Sequence, residues 1–381
     1  MDFHFTPEQA AFGESVRRFA EKHLQAGARQ RAHTTEYPWD AAKLMAAQGL
    51  LGIVIPEADG GQGGTLMDAV IAIEAVAASC PRSADVVQAG NFGAIRVLAE
   101  YGTPGQKERF LRRLLAGEGV ISVGMTEPEA GSAVTDLKTT ATPDGAGFRI
   151  NGSKVFTTHA PFADVILAYV RFAPGVGGIG SVLIDTKSEG VRFGQRSSFM
   201  SGEEWAQLYF ENVYVPPEMV VLREGGFKKQ IAGFNVERIG NTARSLALGR
   251  YAFDQAREWA LQRRQFGRLL AEFQGLQWKF AEMKIKLDAG QLLLYRAAVN
   301  ADRGFPSAEE TSIAKAFCNQ AGFEIANEAL QVMGGTGYSQ ELLVEYCMRR
   351  CRGWMIAGGS IEILKNRIAE SVFGRSFSQR P

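Results

Sequence analysis

Four short segments of this chain combine residues suited to gripping a planar or phosphorylated ligand. Met125-Thr126-Glu127-Pro128-Glu129-Ala130-Gly131-Ser132 mixes small residues with hydroxyls. The first let backbone approach a planar ligand, and the second can donate hydrogen bonds to it or to a phosphate. The same residues also favour an ordinary turn. Asn151-Gly152-Ser153-Lys154-Val155-Phe156-Thr157-Thr158 sets an aromatic among hydroxyls after a tight-turn signal at Asn151-Gly152, and reads equally as a half-buried strand. Arg263-Arg264-Gln265-Phe266-Gly267, leading into Phe273-Gln274-Gly275, puts a guanidinium fork, an aromatic and a glycine at a helix break. That set fits a pyrophosphate contact, or a solvated basic helix end. Gln331-Val332-Met333-Gly334-Gly335-Thr336-Gly337 offers bare backbone N–H groups at a helix boundary, a seat for a nucleotide or only a C-cap.

Three stretches of contrasting periodicity carry these segments. Thr6-Pro7-Glu8-Gln9 opens a helix with a capping hydroxyl, a proline at the first helical position and a Gln three residues after the cap. Helical periodicity continues around 40–48, 66–78, 90–101 and 104–115. After Gly119 the texture becomes short β-rich runs at 121–125, 148–157, 165–172, 181–185 and 207–210, with 174–180 as a loop. From Gly226 the helical period returns, at 230–263, 273–303, 307–333, 340–351 and 361–373. The expected division is 1–119 helical, 120–225 an antiparallel β domain and 226–381 a helical bundle.

Composition bounds the function. Lys plus Arg number 42 against 41 Asp plus Glu, so the formal charge of +1 provides no global field for nucleic acid or an anionic membrane. No apolar run is long enough to cross a bilayer, and an amphipathic helix stands where a targeting segment would, so a cytoplasmic protein is expected. Cys80, Cys318, Cys347 and Cys351 are too scattered for a disulfide scaffold. Cys347 and Cys351 could share a helix face, but no His or acid at ligand spacing completes a metal site, and reduced core cysteines are expected.

The four segments, in this order and within a helix, β, helix layout, resemble the acyl-CoA dehydrogenase family over essentially the whole chain to Phe373. The resemblance implies an α+β fold with an N-terminal α domain, a middle β barrel-like domain and a C-terminal four-helix bundle, assembled as a homotetramer, with FAD as cofactor. It implies that Met125, Thr126, Phe156 and Thr158 meet the flavin ring, with Gly131 and Ser132 in the same stretch and Ser132 also facing CoA. Arg263, Gln265 and Phe266 would meet a neighbouring subunit's dinucleotide. Gln331, Gly334 and Gly335 would cover the rest, and Ser360 and Glu362 would touch FAD. Two departures are Ala133, where the family usually has Asp, and Phe156, where Trp is common.

The reaction this implies is α,β-dehydrogenation of an acyl-CoA thioester, with electrons passed to an electron-transfer flavoprotein. It requires a general base for the α proton. The family's commonest base is a Glu in a C-terminal turn, where this sequence has Gly358-Gly359-Ser360. A minority of the family carries the base on the first long helix of the C-terminal domain, and the matching residue here is Glu237, in Phe234-Asn235-Val236-Glu237-Arg238. The alternative for Glu237 is a surface carboxylate beside Arg238. Asn235 and Arg238 match positions that contact CoA in relatives, and the N–H of Gly359 would polarise the thioester carbonyl. Arg82 could meet a substrate carboxylate or sulfinate, or be a surface-loop arginine. The relocated base suggests a branched, cyclic or bulky acyl group. Competing readings are an enoyl-CoA reductase or redox-neutral desulfinase or eliminase on the same flavin scaffold, a flavin monooxygenase and a non-catalytic interaction protein.

Overall fold

The structure, a computed structural model, describes residues 4–301 and 306–378. The chain divides into two compact units: one holds the residues to His33, Thr65–Gln88 and those from Asn235 onward, the other holds Thr34–Gly64 and Ala89–Phe234.

The first unit is helical. Its opening helix, Pro7–His23, starts as the sequence requires: the Thr6 hydroxyl accepts from the Gln9 N–H at 3.2 Å, and the Gln9 side chain accepts from the Thr6 N–H at 3.2 Å. Its buried Val16 and Ala20 lie on the side that packs against helix Leu66–Ala77. That second helix is apolar nearly all round and correspondingly buried. The long helix Gly226–Gln262 enters this unit at Asn235 and is followed by Gln274–Ala301, Ala308–Met333, Val344–Trp354 and Ile361–Phe373. The last two residues of the helix expected over 273–303 lie outside the described residues. Helix Gln274–Ala301 is apolar on two sides. Met283, Leu287 and Leu294 are buried within the unit, while Trp278, Ile285, Leu292 and Val299 recur every seven residues and stay exposed.

The second unit is built on a sheet of eight strands: β1 (Ile121–Gly124), β2 (Thr140–Asp144), β3 (Gly147–Thr158), β4 (Val165–Arg171), β5 (Ile179–Asp185), β6 (Val191–Ser198), β7 (Glu204–Val215) and β8 (Val220–Leu222). The order is β6-β7-β3-β2-β4-β5-β8, with β1 beside β4. All ladders are antiparallel except β1–β4 and β2–β4, which are parallel. β4 and β5 read as near-continuous apolar runs because both faces are covered. Strands β2, β6 and β8 carry too little apolar alternation to be expected from sequence.

Asn151-Gly152 does not form the expected turn. The β2–β3 turn closes at Asp144 and Gly147, with Gly145 at φ 58°. Asn151-Gly152 instead makes a register shift inside β3, where Gly152 has φ 148° and any Cβ would lie 2.5 Å from Thr139 Oγ1. The glycine is needed for close approach, not for chain reversal. The helix expected over 90–101 begins only at Ala94, after Gly93 at φ 69°, and a separate helix that was not expected, Ala84–Ala89, precedes it.

Candidate active site

Glu237 is not a surface carboxylate. It is half-buried on the long helix, and both of its oxygens accept from Gln88 Nε2 at 2.8 Å. Asn241, one turn further on, donates from Nδ2 to Glu237 Oε1 at 3.2 Å. Burial pushes the Glu237 carboxyl above its ordinary range, opposed by Arg244, by these two hydrogen bonds and by Lys315. A carboxyl raised in this way suits proton abstraction.

Behind it sits a buried charge cluster. Asp85 accepts from Arg244 at 2.9 Å, from Arg350 at 3.0 Å and from Arg82 at 3.2 Å. Burial alone would raise the Asp85 carboxyl, but these three guanidinium groups hold it well below the usual range. Arg244 and Arg350 each place a guanidinium 4.7 Å from the Trp354 ring. Arg82 is therefore no surface-loop residue: it is 2% exposed, and Asp85 compensates its burial.

The Gly358-Gly359-Ser360 turn is held from below by Lys315. This fully buried residue donates from Nζ to Gly359 O at 2.9 Å and to Trp354 O at 3.1 Å. Burial, reinforced by Arg238 and Arg244, lowers the Lys315 ammonium to about 7 against the pull of Glu237. Gly358 and Gly359 have φ 70° and 93°. The Ser360 hydroxyl caps helix Ile361–Phe373, accepting from the Ile363 N–H at 3.5 Å. The exposed Glu362 follows in the first turn, its carboxyl lowered by the helix-end N–H and by Ser360. Arg238 donates to Asn235 Oδ1 at 2.8 Å, and Asn235 donates to Pro306 O at 3.3 Å. The buried Arg238 Nε has no partner among the described residues, a donor available to an anionic ligand.

Gln331, Gly334 and Gly335 lie at the exposed C-terminus of helix Ala308–Met333. Arg263, Gln265 and Phe266 lie together at an exposed hairpin, Arg264–Gln265 against Arg268–Leu269. Phe266 is 92% exposed and holds φ 52°, which for a non-glycine aromatic costs conformational energy.

In the sheet unit, the pairing of β3 with β7 jumps between Lys154 and Thr157, leaving one extra residue on β3. That bulge carries Phe156, at φ 56° and 55% exposed, with its ring 4.7 Å from Trp205. Bulges of this kind re-aim a side chain. The Thr126 carbonyl accepts from the Val155 N–H at 2.9 Å, which brings the two expected flavin segments side by side. Thr158 is half-buried, and its carbonyl accepts from Ser122 Oγ at 2.8 Å. Met125 and Thr126 are half-buried, whereas Gly131 and Ser132 are exposed. Beneath them Lys154, fully buried, donates to Glu127 Oε1 at 2.7 Å and to Met125 O at 3.3 Å. Burial lowers the Lys154 ammonium to about 8, against the pull of Glu127.

Sequence reasoning missed Gln88, Asp85, Asn241, Arg244 and Lys315. Asn241 and Arg244 fall four and seven residues after Glu237 and so share its helix face, a spacing that could have flagged them. Gln88, Asp85 and Lys315 come from distant helices and left no such signal. Among the described residues, no group of three or more His, Cys, Asp or Glu is placed to hold a metal ion, all four cysteines are free and buried, and no helix is long and apolar enough to cross a membrane.

Comparison with known proteins bears on the family and the fold. The family models for the N-terminal, middle and C-terminal domains of acyl-CoA dehydrogenase match residues 6–118, 122–213 and 224–373. The 3-sulfinopropanoyl-CoA desulfinase of Paraburkholderia xenovorans is 32% identical, over 99% of this chain and 99% of its own. The short-chain-specific acyl-CoA dehydrogenase of Clostridium acetobutylicum is 32% identical over 98% and 100%. A subunit of the caffeyl-CoA reductase-Etf complex of Acetobacterium woodii is 33% identical over 94% and 97%. Among solved structures, a glutaryl-coenzyme A dehydrogenase with glutaryl-CoA superposes with TM-score 0.94 at 28% identity over 100% and 98% of the two chains. The FAD complex of PigA does so with TM-score 0.91 at 26% identity over 98% and 99%. Three consecutive domain models that leave only short gaps, together with relatives matched end to end, place this chain in the acyl-CoA dehydrogenase family.

Proposed function

We propose that this oxidoreductase, which acts on CH–CH groups, dehydrogenates an acyl-CoA thioester between its α and β carbons with Glu237 as the general base. The observation that carries the assignment is a raised, half-buried carboxylate at 237 in a chain whose family-typical base position is Gly358, a residue that cannot take a proton.

The residues present fit FAD. An exposed Phe156 sits on a bulge beside Trp205, hydroxyls flank it, and the Arg263–Phe266 hairpin presents an uncovered aromatic beside a guanidinium. Met125, Thr126, Gly131, Ser132, Phe156 and Thr158 would hold the isoalloxazine side. Arg263, Gln265 and Phe266 of the hairpin would meet the dinucleotide held by a neighbouring subunit, with Gln331, Gly334 and Gly335 covering the rest, and Ser360 and Glu362 would touch FAD. When bound, FAD supplies the acceptor for the hydride equivalent leaving the β carbon. The chain's own part is to take the α proton at a Glu237 oxygen, while Gln88 and Asn241 keep that carboxylate in one orientation. The Gly359 N–H would polarise the thioester carbonyl, and Asn235 and Arg238, the latter with a free buried donor, would meet the CoA moiety. Ser132 would share that contact.

An electron-transfer flavoprotein is the proposed partner, as in the reductase-Etf relative. The exposed heptad stripe from Trp278 to Val299 supports a homotetramer, since an unpartnered apolar seam of that period is what a second helix covers. Four reduced cysteines agree with a cytoplasmic setting. A second reading is favoured by the desulfinase and reductase relatives: reductive or redox-neutral chemistry on the same scaffold, with Arg82 meeting an anionic acyl terminus. An anaerobic titration of the yellow holoprotein with a panel of saturated and unsaturated acyl-CoA thioesters separates the readings. Bleaching by a saturated thioester, lost in Glu237→Gln with the cofactor still bound, is expected. Bleaching that survives in Glu237→Gln refutes the base.

A further inference from the structure

We propose that Asn241 and Arg244 form a relay that positions the Glu237 carboxylate, and that Gly358 is the residue that leaves room for it. The inference rests on the reading of Glu237 as the base, and it names what fixes that base in place.

The geometry runs in one direction. Arg244 is donor-only, and it donates to Asn241 Oδ1 from Nη2 while its Nη1 donates to Asp85 at 2.9 Å. A guanidinium facing one side of the amide settles the orientation of Asn241: Oδ1 faces Arg244, so Nδ2 faces Glu237 Oε1 at 3.2 Å. Arg244 is itself held on two sides, because its partner Asp85 is also bound by Arg82 and Arg350, and the Trp354 ring lies against both Arg244 and Arg350. Position, and not only charge, is thus passed from a buried ion cluster to the base.

Gly358 closes the argument. A Cβ at this position would lie 2.9 Å from Asn241 Nδ2, and the backbone holds φ 70°, where a side chain is strained. The relay and a side-chain base at 358 therefore compete for the same space. The move of the base to 237 is coupled to Asn241.

Glu237 is faced by Asn241 and Arg244 of its own helix, by Gln88 of helix Ala84–Ala89 and by Lys315 of helix Ala308–Met333. Asp85 and Arg350 lie one shell further out, beyond Arg244. Arg244 and Lys315 supply the positive charge that opposes burial, so loss of Arg244, or of the Asn241 donor, favours the protonated carboxyl. The acid limb of the pH–rate profile then moves to higher pH.

The test uses holoprotein variants Asn241→Leu, Asn241→Asp, Arg244→Lys and Gly358→Ala beside Glu237→Gln. Two measurements are made: the pH dependence of flavin bleaching by a reactive thioester, and pH-difference infrared spectra of the carboxyl band lost in Glu237→Gln. Asn241→Leu is expected to slow bleaching ten- to hundredfold through misplacement of the base and to shift both the acid limb and the infrared titration to higher pH. Asn241→Asp adds a like charge and shifts them further, Gly358→Ala shifts them in the same direction, and Arg244→Lys, which keeps the charge but not the fork, shifts them least. If Asn241→Leu and Gly358→Ala leave both titrations at the wild-type position while Glu237→Gln is inactive, the relay is wrong and the base assignment stands. If Glu237→Gln still bleaches, the base assignment fails, while the infrared titration continues to judge the relay. If Arg244→Lys does not fold, Asn241→Leu, which leaves the Asp85 cluster intact, decides alone.

Discussion

Replacing Glu127 by Gln should destabilise the protein far more than replacing its ion-pair partner Lys154 by Met. The structure explains the asymmetry. Lys154 is fully buried and has two acceptors, Glu127 Oε1 at 2.7 Å and Met125 O at 3.3 Å. Glu127 has further donors besides Lys154: the Lys138 N–H at 2.5 Å, the Thr139 N–H at 3.0 Å and the Thr139 hydroxyl at 2.6 Å. Burial would raise the Glu127 carboxyl, but Lys154 and these donors bring it below its ordinary range. Removing the carboxylate charge strands a buried ammonium, a change that costs about 3–5 kcal/mol. Removing the ammonium leaves a carboxylate with three hydrogen bonds, so the cost falls to about 1–3 kcal/mol. The double replacement should cost less than Glu127→Gln alone, because no unpaired charge remains. Guanidinium unfolding of the four proteins, followed by far-ultraviolet circular dichroism with the slope fitted for each, yields the cycle. Equal costs for the two single variants, or a double variant at the sum of both, would refute the account.

Two further predictions concern stability and assembly. Burial raises Glu74 to about 7, against the Tyr295 hydroxyl that donates to it at 2.7 Å and the charge of Arg250; since the folded state then binds more protons than the unfolded, stability should fall as pH rises from about 4.5 to about 7, by up to roughly 3 kcal/mol. Glu74→Gln should flatten that slope, as read from unfolding midpoints at pH 5 and pH 8, and an unchanged slope would exclude Glu74 as its source. Trp278→Glu combined with Ile285→Glu should dissociate the proposed homotetramer, since truncating one central aromatic at an interface costs about 2 kcal/mol or more; sedimentation velocity that still shows the wild-type species would exclude the heptad stripe as an interface.

The fold was legible wherever one period dominated. Thr6 to Gln9 spelled out a helix start that the structure reproduces bond for bond, and the apolar runs of β4 and β5 marked a covered sheet. What escaped were features set by long-range packing. Strands β2, β6 and β8 owe their pairing to neighbours and not to their own alternation. Asn151-Gly152 carries turn chemistry, yet β3 uses its freedom for close approach to Thr139. Glu237 was legible as a position, but the groups that restrain it were not. Gln88 reaches it across 149 residues of sequence, and the Asp85 cluster joins helices whose residues are up to 265 apart.

That division has a physical reason. A carboxylate can be recognised by its place in a motif, but its basicity depends on desolvation and on charges brought up by folding, neither of which has a local signature. In this chain two positions far apart in sequence nevertheless carry a trace of it. Gly358 is the complement of Asn241: a side chain on the first, already strained at φ 70°, would displace the amide of the second, which stands 2.9 Å from where a Cβ would be. A glycine at the usual base position and an Asn four residues after a helical Glu therefore express one steric constraint, written twice in the sequence. The pair should be exchanged together or not at all. Gly358→Glu alone meets both the Asn241 amide and a backbone at φ 70°, so it should not restore proton abstraction to Glu237→Gln, whereas Gly358→Glu with Asn241→Ala removes the collision and leaves only the backbone strain.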